Sequence, residues 1–482
     1  LPQDIFKLNY DKIASLDGWG KLSVANLEIA ETDLLLSKSR LQPSLTAFYS
    51  YSSRISYSDR LIPSGEFETV PIGKLASNSE PVVSTIGFRG NDKTETYILH
   101  REVAHPINLM LDTVLVDEDK NRLENLGLFS EISTEIVPLE DGTVELIYVV
   151  IESIHKTPPL AFPIYDEDTG WSFAGLWMIN NFRGRNQSLI LNGTFGGRDT
   201  YSVSFNDPWI FGDHISFAFN ISRIIFEHRF LNRNLELNNF SLKLGKWYGL
   251  SVKTQFGLDL GRKQYFNEQY KESFTFFGIT GEIRYDTRDI YWNPGKGLLL
   301  VHGFYHQNGI NPSEFNTTLF TQSLSLYKKI SKKGKKKVIA FNTSSSIKYG
   351  SKSDLWLEYF GNSSTIRGWS PPDSNLYLAG KQPFRFGHDS FLFSMEFRHE
   401  LIPKRATQVG TEFGLSLVIF SEFGVIANQW KDINKIIPMQ GYGAGIRIPF
   451  PIVSVIRVDL AWGYRSRLWN SGVIHFGIGQ KF

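Results

Sequence analysis

The sequence predicts a mainly β protein: a sixteen-stranded antiparallel barrel spanning a membrane, preceded by a small β-α-α-β-β domain. Three observations lead there. Segments of alternating polarity recur from residue 160 to residue 482, and Phe, Trp and Tyr make up 14% of the chain. No apolar run reaches the roughly 18 residues that a spanning helix needs. Lipid tolerates no unpaired backbone group, so a membrane chain without spanning helices has to form a β-barrel. Aromatic residues are expected at that frequency where girdles line two membrane interfaces.

Composition narrows the function. With 51 Lys+Arg against 49 Asp+Glu the net charge is +2, which signals no nucleic-acid partner. Cysteine is absent, which excludes a disulfide framework and a thiolate metal site. No signal peptide is visible, and Leu1 reads as a mature or trimmed start.

Residues 1–80 read as an N-terminal extension, partly helical, with no defined role. Leu27, Leu34 and Leu41 recur at helical spacing before Pro43, and an alternating aromatic stretch, LTAFYSYSSRISY, follows. Residues 82–153 form the compact domain. VVSTIGFRGN is a strand, DKTETYILHREV and TVLVDEDKNRLENLGLF carry helical spacing, and a hairpin turns at Glu140, Asp141 and Gly142.

Residues 160–482 hold sixteen strands, the first near 160–167 and the last near 473–482. In the last, Ile474, Phe476, Ile478 and Phe482 share one face, interrupted by Gln480. Val473, His475, Gly477, Gly479 and Lys481 share the other. The same parity puts Glu396, Glu422 and Asp459 opposite the apolar face of their strands, a cheap position in a wet lumen. An even strand number places both barrel ends on one side, with the short turns RGR (183–185), PWIFG (208–212), WYG (247–249) and FPI (450–452). The long stretch 350–388 falls on the other side, the extracellular one by analogy with outer-membrane barrels.

Five stretches together resemble the BamA/TamA superfamily of outer-membrane assembly and translocation barrels. IGFRGNDKT…RLENLGLFSEI…VVIE resembles one polypeptide-transport-associated (POTRA) domain, and INNFRGRNQSL…YSVSFNDPWIFG (179–212) resembles the second to fourth barrel strands. GEIRYDTRDIYWNPGKG (281–297) resembles a strand and periplasmic turn that carry Asp286, Arg288, Asp289, Pro294 and Gly297. LEYFGNSSTIRGWSPPD (357–373) resembles the sixth-loop motif, with Arg367, Gly368 and Trp369 at its core. GYGAGIRIPFP…IRVDLAWG and Phe482 resemble the closing strands.

The resemblance implies an outer-membrane barrel with its POTRA domain in the periplasm. It implies that Arg367 reaches into the lumen to carboxylates such as Glu422, Asp459 and Glu396, as a structural lock; Glu422 stands where the family usually has aspartate. It also implies a weak seam between the first and last strands. Here Pro163 lacks a ladder donor, Gly477 and Gly479 add flexibility, and Phe482 closes the chain. The implied function is to help fold and insert unfolded β-barrel clients at that seam, in contact with membrane lipid. The POTRA domain would receive clients or accessory proteins. One legible POTRA domain suggests an accessory or specialised paralogue. A pore that secretes a polypeptide through the lumen, or a non-transporting structural subunit, are the alternatives.

Other motifs point to no chemistry. KKISKKGKKK (328–337) falls on a periplasmic turn and reads as a solvated hairpin or a dock for an acidic partner. GYGAGI lies in a strand with no following helix, so it is no dinucleotide loop. No GxSxG elbow and no HExxH spacing occurs. No enzyme activity, metal or cofactor is expected.

Overall fold

The computed structural model describes residues 81–482, apart from 154, 156–159, 167–168, 212–213, 229–232, 312–315, 353–356, 407–411 and 451–453. The extension 1–80, with its expected helix at 22–41, lies outside the described residues.

The first domain contains β1 (Val82–Arg89), α1 (Thr96–His100), β2 (Leu109–Met110), α2 (Thr113–Asn125), β3 (Phe129–Pro138) and β4 (Val144–Glu152). Its sheet runs β2-β1-β4-β3. Helix α2 starts at Asp112, whose carboxylate accepts from the free N–H groups of Val114 and Leu115. Its apolar stripe, Val116 and Leu123, continues into Leu126 and packs on Leu146, Tyr148 and Val150 of β4. Two carboxylates of this domain, Glu102 and Asp119, are buried. Asp119 is satisfied there by the Tyr148 hydroxyl at 2.7 Å and by the backbone N–H groups of Ala104 at 2.9 Å and His105 at 3.2 Å.

The barrel begins with β5 (Leu160–Asp166), β6 (Gly170–Phe182), β7 (Gln187–Gly196), β8 (Arg198–Phe211) and β9 (Ile215–His228). It continues through β10 (Arg233–Tyr248), β11 (Val252–Phe266), β12 (Lys271–Asp286), β13 (Lys296–Asn311), β14 (Asn316–Lys329) and β15 (Lys337–Gly350). A long loop follows, with β16 (Glu358–Tyr359), α3 (Ser374–Leu378) and β17 (Phe386–Gly387). The wall resumes with β18 (Asp389–Ala406), β19 (Glu412–Ala427), β20 (Met439–Phe450), β21 (Ser454–Arg465), β22 (Leu468–Trp469) and β23 (Val473–Ile478).

These strands make one antiparallel sheet whose order is cyclic, bringing β23 beside β5. The two-residue β22 folds back on the end of β21 through Tyr464–Trp469 and Arg465–Leu468. Without it the wall has sixteen strands, the expected number. Alternation sets the two faces. In β11, Phe256, Leu258 and Leu260 are exposed outward, while Lys253, Asp259 and Lys263 are buried inward. Outward-exposed aromatics gather near the strand ends, as in Tyr248 and Tyr285 on the periplasmic side and Trp171 and Tyr349 on the other. Those are the girdles that the aromatic content predicted.

The last strand departs from expectation. It stops at Ile478, because Gly479 takes φ +80° and turns the chain inward, so the period-two row ends there. Phe482 therefore lies neither in the strand nor on its lipid face. Its ring packs inside, with Tyr327, Val338 and Ala340 of β14 and β15. The seam is also short, since β5 has seven residues and β23 six. Across it, the outward rings of Tyr165 and Phe476 meet edge-on with centroids 6.5 Å apart.

Candidate functional site

The loop between β15 and β18 does not stand off into solvent. It enters the barrel and places Arg367 in a fully buried position. An Asx turn shapes the approach: Asn362 Oδ1 accepts from Ser364 N at 2.9 Å and Thr365 N at 2.8 Å. Gly368 then takes φ +87°, and a Cβ there would stand 2.3 Å from the Trp462 carbonyl carbon, so no other residue fits. Trp369 follows and donates its indole N–H to Gln440 O at 2.9 Å.

All three carboxylates that parity placed inward converge on Arg367. Its Nε donates to Glu422 Oε1 at 2.9 Å, Nη1 to Asp459 Oδ2 at 2.9 Å and Nη2 to Glu396 Oε1 at 2.9 Å. Nη2 also reaches Glu422 Oε1 at 2.5 Å. The guanidinium carbon sits 3.4 Å from the Phe420 ring centroid, so the cation is stacked as well as hydrogen-bonded. Glutamate at 422 uses its length. While Oε1 takes the guanidinium, Oε2 accepts the backbone N–H of Arg367 itself at 2.8 Å.

Further cations hold the outer sides of the same carboxylates. Arg398 Nε donates to Glu396 Oε2 at 2.9 Å, Arg447 Nη1 to Asp459 Oδ1 at 2.6 Å and Lys481 Nζ to Glu422 Oε1 at 2.5 Å. Every carboxylate oxygen in the cluster accepts at least one bond, which is the condition for keeping buried charge. The arrangement can lock a loop; it presents no nucleophile beside a base.

Parity alone did not single out Arg398, Arg447 or Lys481 as the second ring of this cluster, nor Phe420 as its platform. A signal existed in the row of lumenal glycines. A Cβ at Gly441 would stand 2.0 Å from Arg367 O, and one at Gly463 would stand 2.5 Å from Trp369 Nε1. These strands are bare so that the loop can lie against them.

The lock extends to the seam. His475 on the lumenal face of β23 accepts from Gly368 N at 2.8 Å through Nε2. Gly477 makes room for Arg457, whose Nη2 would be 2.5 Å from a Cβ there and which donates to Ser363 O at 3.2 Å. So Gly477 serves close packing as well as flexibility. Past Gly479, Lys481 also bonds Thr365 O, and Arg398 Nη2 donates to Phe482 O at 2.9 Å. Pro163 lies on the outward face of β5, exposed.

The periplasmic-turn residues do two jobs. Arg288 grips Asp286 through Nε at 2.9 Å and Nη2 at 2.6 Å, and Asp289 Oδ1 closes the turn by accepting from Ile290, Gly295 and Lys296. Gly297 takes φ +102° where a Cβ would stand 2.1 Å from Thr287 O, and Pro294 is buried beside it. The same turn receives the first domain. Asn125 donates to Asp289 O at 3.1 Å and accepts from Tyr291 N at 2.9 Å, while Trp292 Nε1 donates to Glu124 at 3.1 Å. A second dock lies at the turn after β6. There Glu95 N donates to Gly184 O at 2.9 Å, and Asn181 Nδ2 donates to Thr94 Oγ1 at 2.8 Å and to His155 Nδ1 at 3.2 Å.

Residues 181–482 match the Omp85 superfamily domain, and residues 81–153 match POTRA, described as a surface antigen variable number repeat. Over 193 residues the chain is 27% identical to the outer membrane protein assembly factor BamA of Neisseria meningitidis serogroup B, covering 38% of this chain and 23% of that one. Over 30 residues it is 77% identical to the DNA ligase of Pelagibacter ubique, covering 6% of this chain and 4% of that enzyme, too little to bear on fold. The chain thus spans less than a quarter of the length of these curated relatives. In fold it is similar to the crystal structure of BamA from Haemophilus ducreyi lacking POTRA domains 1–3, with TM-score 0.50 and 16% identity over 84% of each chain.

Proposed function

The chain belongs to the Omp85 superfamily, and from that membership we propose that it helps fold and insert β-barrel clients into the membrane through the seam between β5 and β23. It is an outer-membrane protein with its POTRA domain in the periplasm. The observation that carries the proposal is the inequality of its junctions. The β10–β11 ladder pairs fifteen residues, whereas β23 has only six to offer β5. Pro163 removes one donor from that short edge. Each backbone bond contributes about 0.5–1.5 kcal/mol net, so the seam and the equally short six-pair β21–β23 ladder are the cheap junctions to part.

The lock supports the same reading. It fastens the wall from β18 to β23 around Arg367, so parting falls on the short junction with β5. An edge released there offers unpaired N–H and C=O groups to a client strand, the physics of β-augmentation. Loop residues crossing the lumen favour this lateral route over axial export. The POTRA domain, held against the turns at 181–186 and 287–292, is suited to present clients or accessory proteins to the periplasmic mouth. No step calls for bond chemistry.

The test uses the natural absence of cysteine. A Tyr165→Cys/Phe476→Cys pair spans the seam, and a Phe173→Cys/Phe195→Cys pair spans the registered β6–β7 junction as a control. Oxidising the seam pair is expected to stop insertion of a β-barrel client into liposomes, with reduction restoring it, while the control pair has no effect. Undiminished insertion with the seam locked refutes lateral insertion and favours export through the lumen or a scaffold role.

A further inference from the structure

The basic run KKISKKGKKK remains outside the lock, the seam and the POTRA docks. It contains seven lysines between 328 and 337 and no acidic residue. Six of them, Lys328, Lys329, Lys332, Lys333, Lys335 and Lys337, are exposed, and none of the six forms an ion pair among the described residues. The seventh, Lys336, is tied to Asn293 O at 2.5 Å on the neighbouring turn.

The hairpin is held in shape. Ile330 N donates to Lys337 O at 2.9 Å, and Lys337 N donates to Ser331 Oγ at 3.1 Å. Only residues 331–336 lie beyond that closure, so the turn reaches at most about 10 Å past the strand ends. The polar layer of a bilayer is itself about 7 Å deep on each side. Leu326, on the outward face of β14, is lipid-exposed two residues before the run, and Ile330 is exposed within it. The tip of the turn therefore lies no more than a few Å beyond the headgroup layer, within reach of long lysine stems, with apolar anchors beside them.

We propose that this turn binds anionic phosphate headgroups of lipids in the periplasmic leaflet. The height of the turn favours lipid over an acidic protein approaching from solution, because long amine stems at an interface extend to the headgroups. Each lysine near such a surface strengthens binding about fivefold. Bound lipid then steadies the β14–β15 side of the wall against the bilayer, away from the seam.

The test is native mass spectrometry of the full chain in detergent with equal amounts of phosphatidylglycerol and phosphatidylcholine. The parent is expected to retain phosphatidylglycerol in preference. The Lys332→Gln/Lys333→Gln/Lys335→Gln variant is expected to lose that preference by roughly a hundredfold. The corresponding triple arginine variant, which keeps the charge, should retain it. Circular dichroism of each variant confirms a folded barrel. An unchanged preference in the glutamine variant, or stronger retention of a polyglutamate peptide than of phosphatidylglycerol by the parent, overturns the proposal.

Discussion

Replacing Arg367 with alanine removes the centre of the lumenal cluster. Breaking a buried ion pair by deleting one partner costs about 3–5 kcal/mol, because the surviving charges lose their compensation. Here Glu396, Glu422 and Asp459 keep Arg398, Lys481 and Arg447, so the lower end applies, about 3 kcal/mol. That is about a hundredfold shift in the equilibrium between docked and released loop. Arg367→Lys separates charge from shape. An ammonium keeps the positive charge but cannot span Glu422 and Asp459 as the planar fork does, so it should lose about 2 kcal/mol. The assay is limited proteolysis of loop 351–388 in the detergent-folded barrel, alongside its unfolding midpoint. If the alanine variant is cleaved no faster and unfolds within about 0.5 kcal/mol of the parent, the cluster does not hold the loop. If lysine matches arginine, the fork geometry is irrelevant.

Gly441→Ala should release the same loop without touching a charge, since its Cβ would stand 2.0 Å from Arg367 O; faster cleavage of the loop at unchanged net charge is the expected result. Asn125→Ala deletes both bonds to the turn after β12 and should weaken POTRA docking by about 1–3 kcal/mol, read as faster hydrogen exchange at Tyr291 with little change in barrel unfolding. His155 gives a pH dependence. Burial lowers its pKa below the ordinary value, and its Nδ1 accepts from Asn181 while Nε2 faces Leu128 O at 2.9 Å, an arrangement that requires the neutral ring. A depressed folded pKa means this contribution is fully present above about pH 6.5 and is lost as the pH falls through the folded value. Hydrogen exchange of the Asn180 amide, which donates to His155 O at 2.7 Å, should therefore speed up in acid, and His155→Gln should flatten that dependence.

Period-two alternation gives the sixteen-strand wall and the face that most of its residues take, because the pattern is local and one face meets lipid; it misplaces a turn at 208–212, where β8 runs on to Phe211. That locality is why Glu396, Glu422 and Asp459 could be placed in the lumen before any coordinates. Tertiary structure decided what those inward residues meet. Arg367 lies 29, 55 and 92 positions from its three carboxylates, and nothing local encodes those separations. It also decided that Gly479 ends the last strand, sending Lys481 to Glu422 and Phe482 to Tyr327. The alternation had put Phe482 on the lipid face, since a pattern count cannot see a positive φ or a buried carboxylate waiting across the lumen. The docking of Asn125 and Trp292 was likewise invisible, because each is an ordinary residue until two separately folded surfaces bring their hydrogen-bonding groups together.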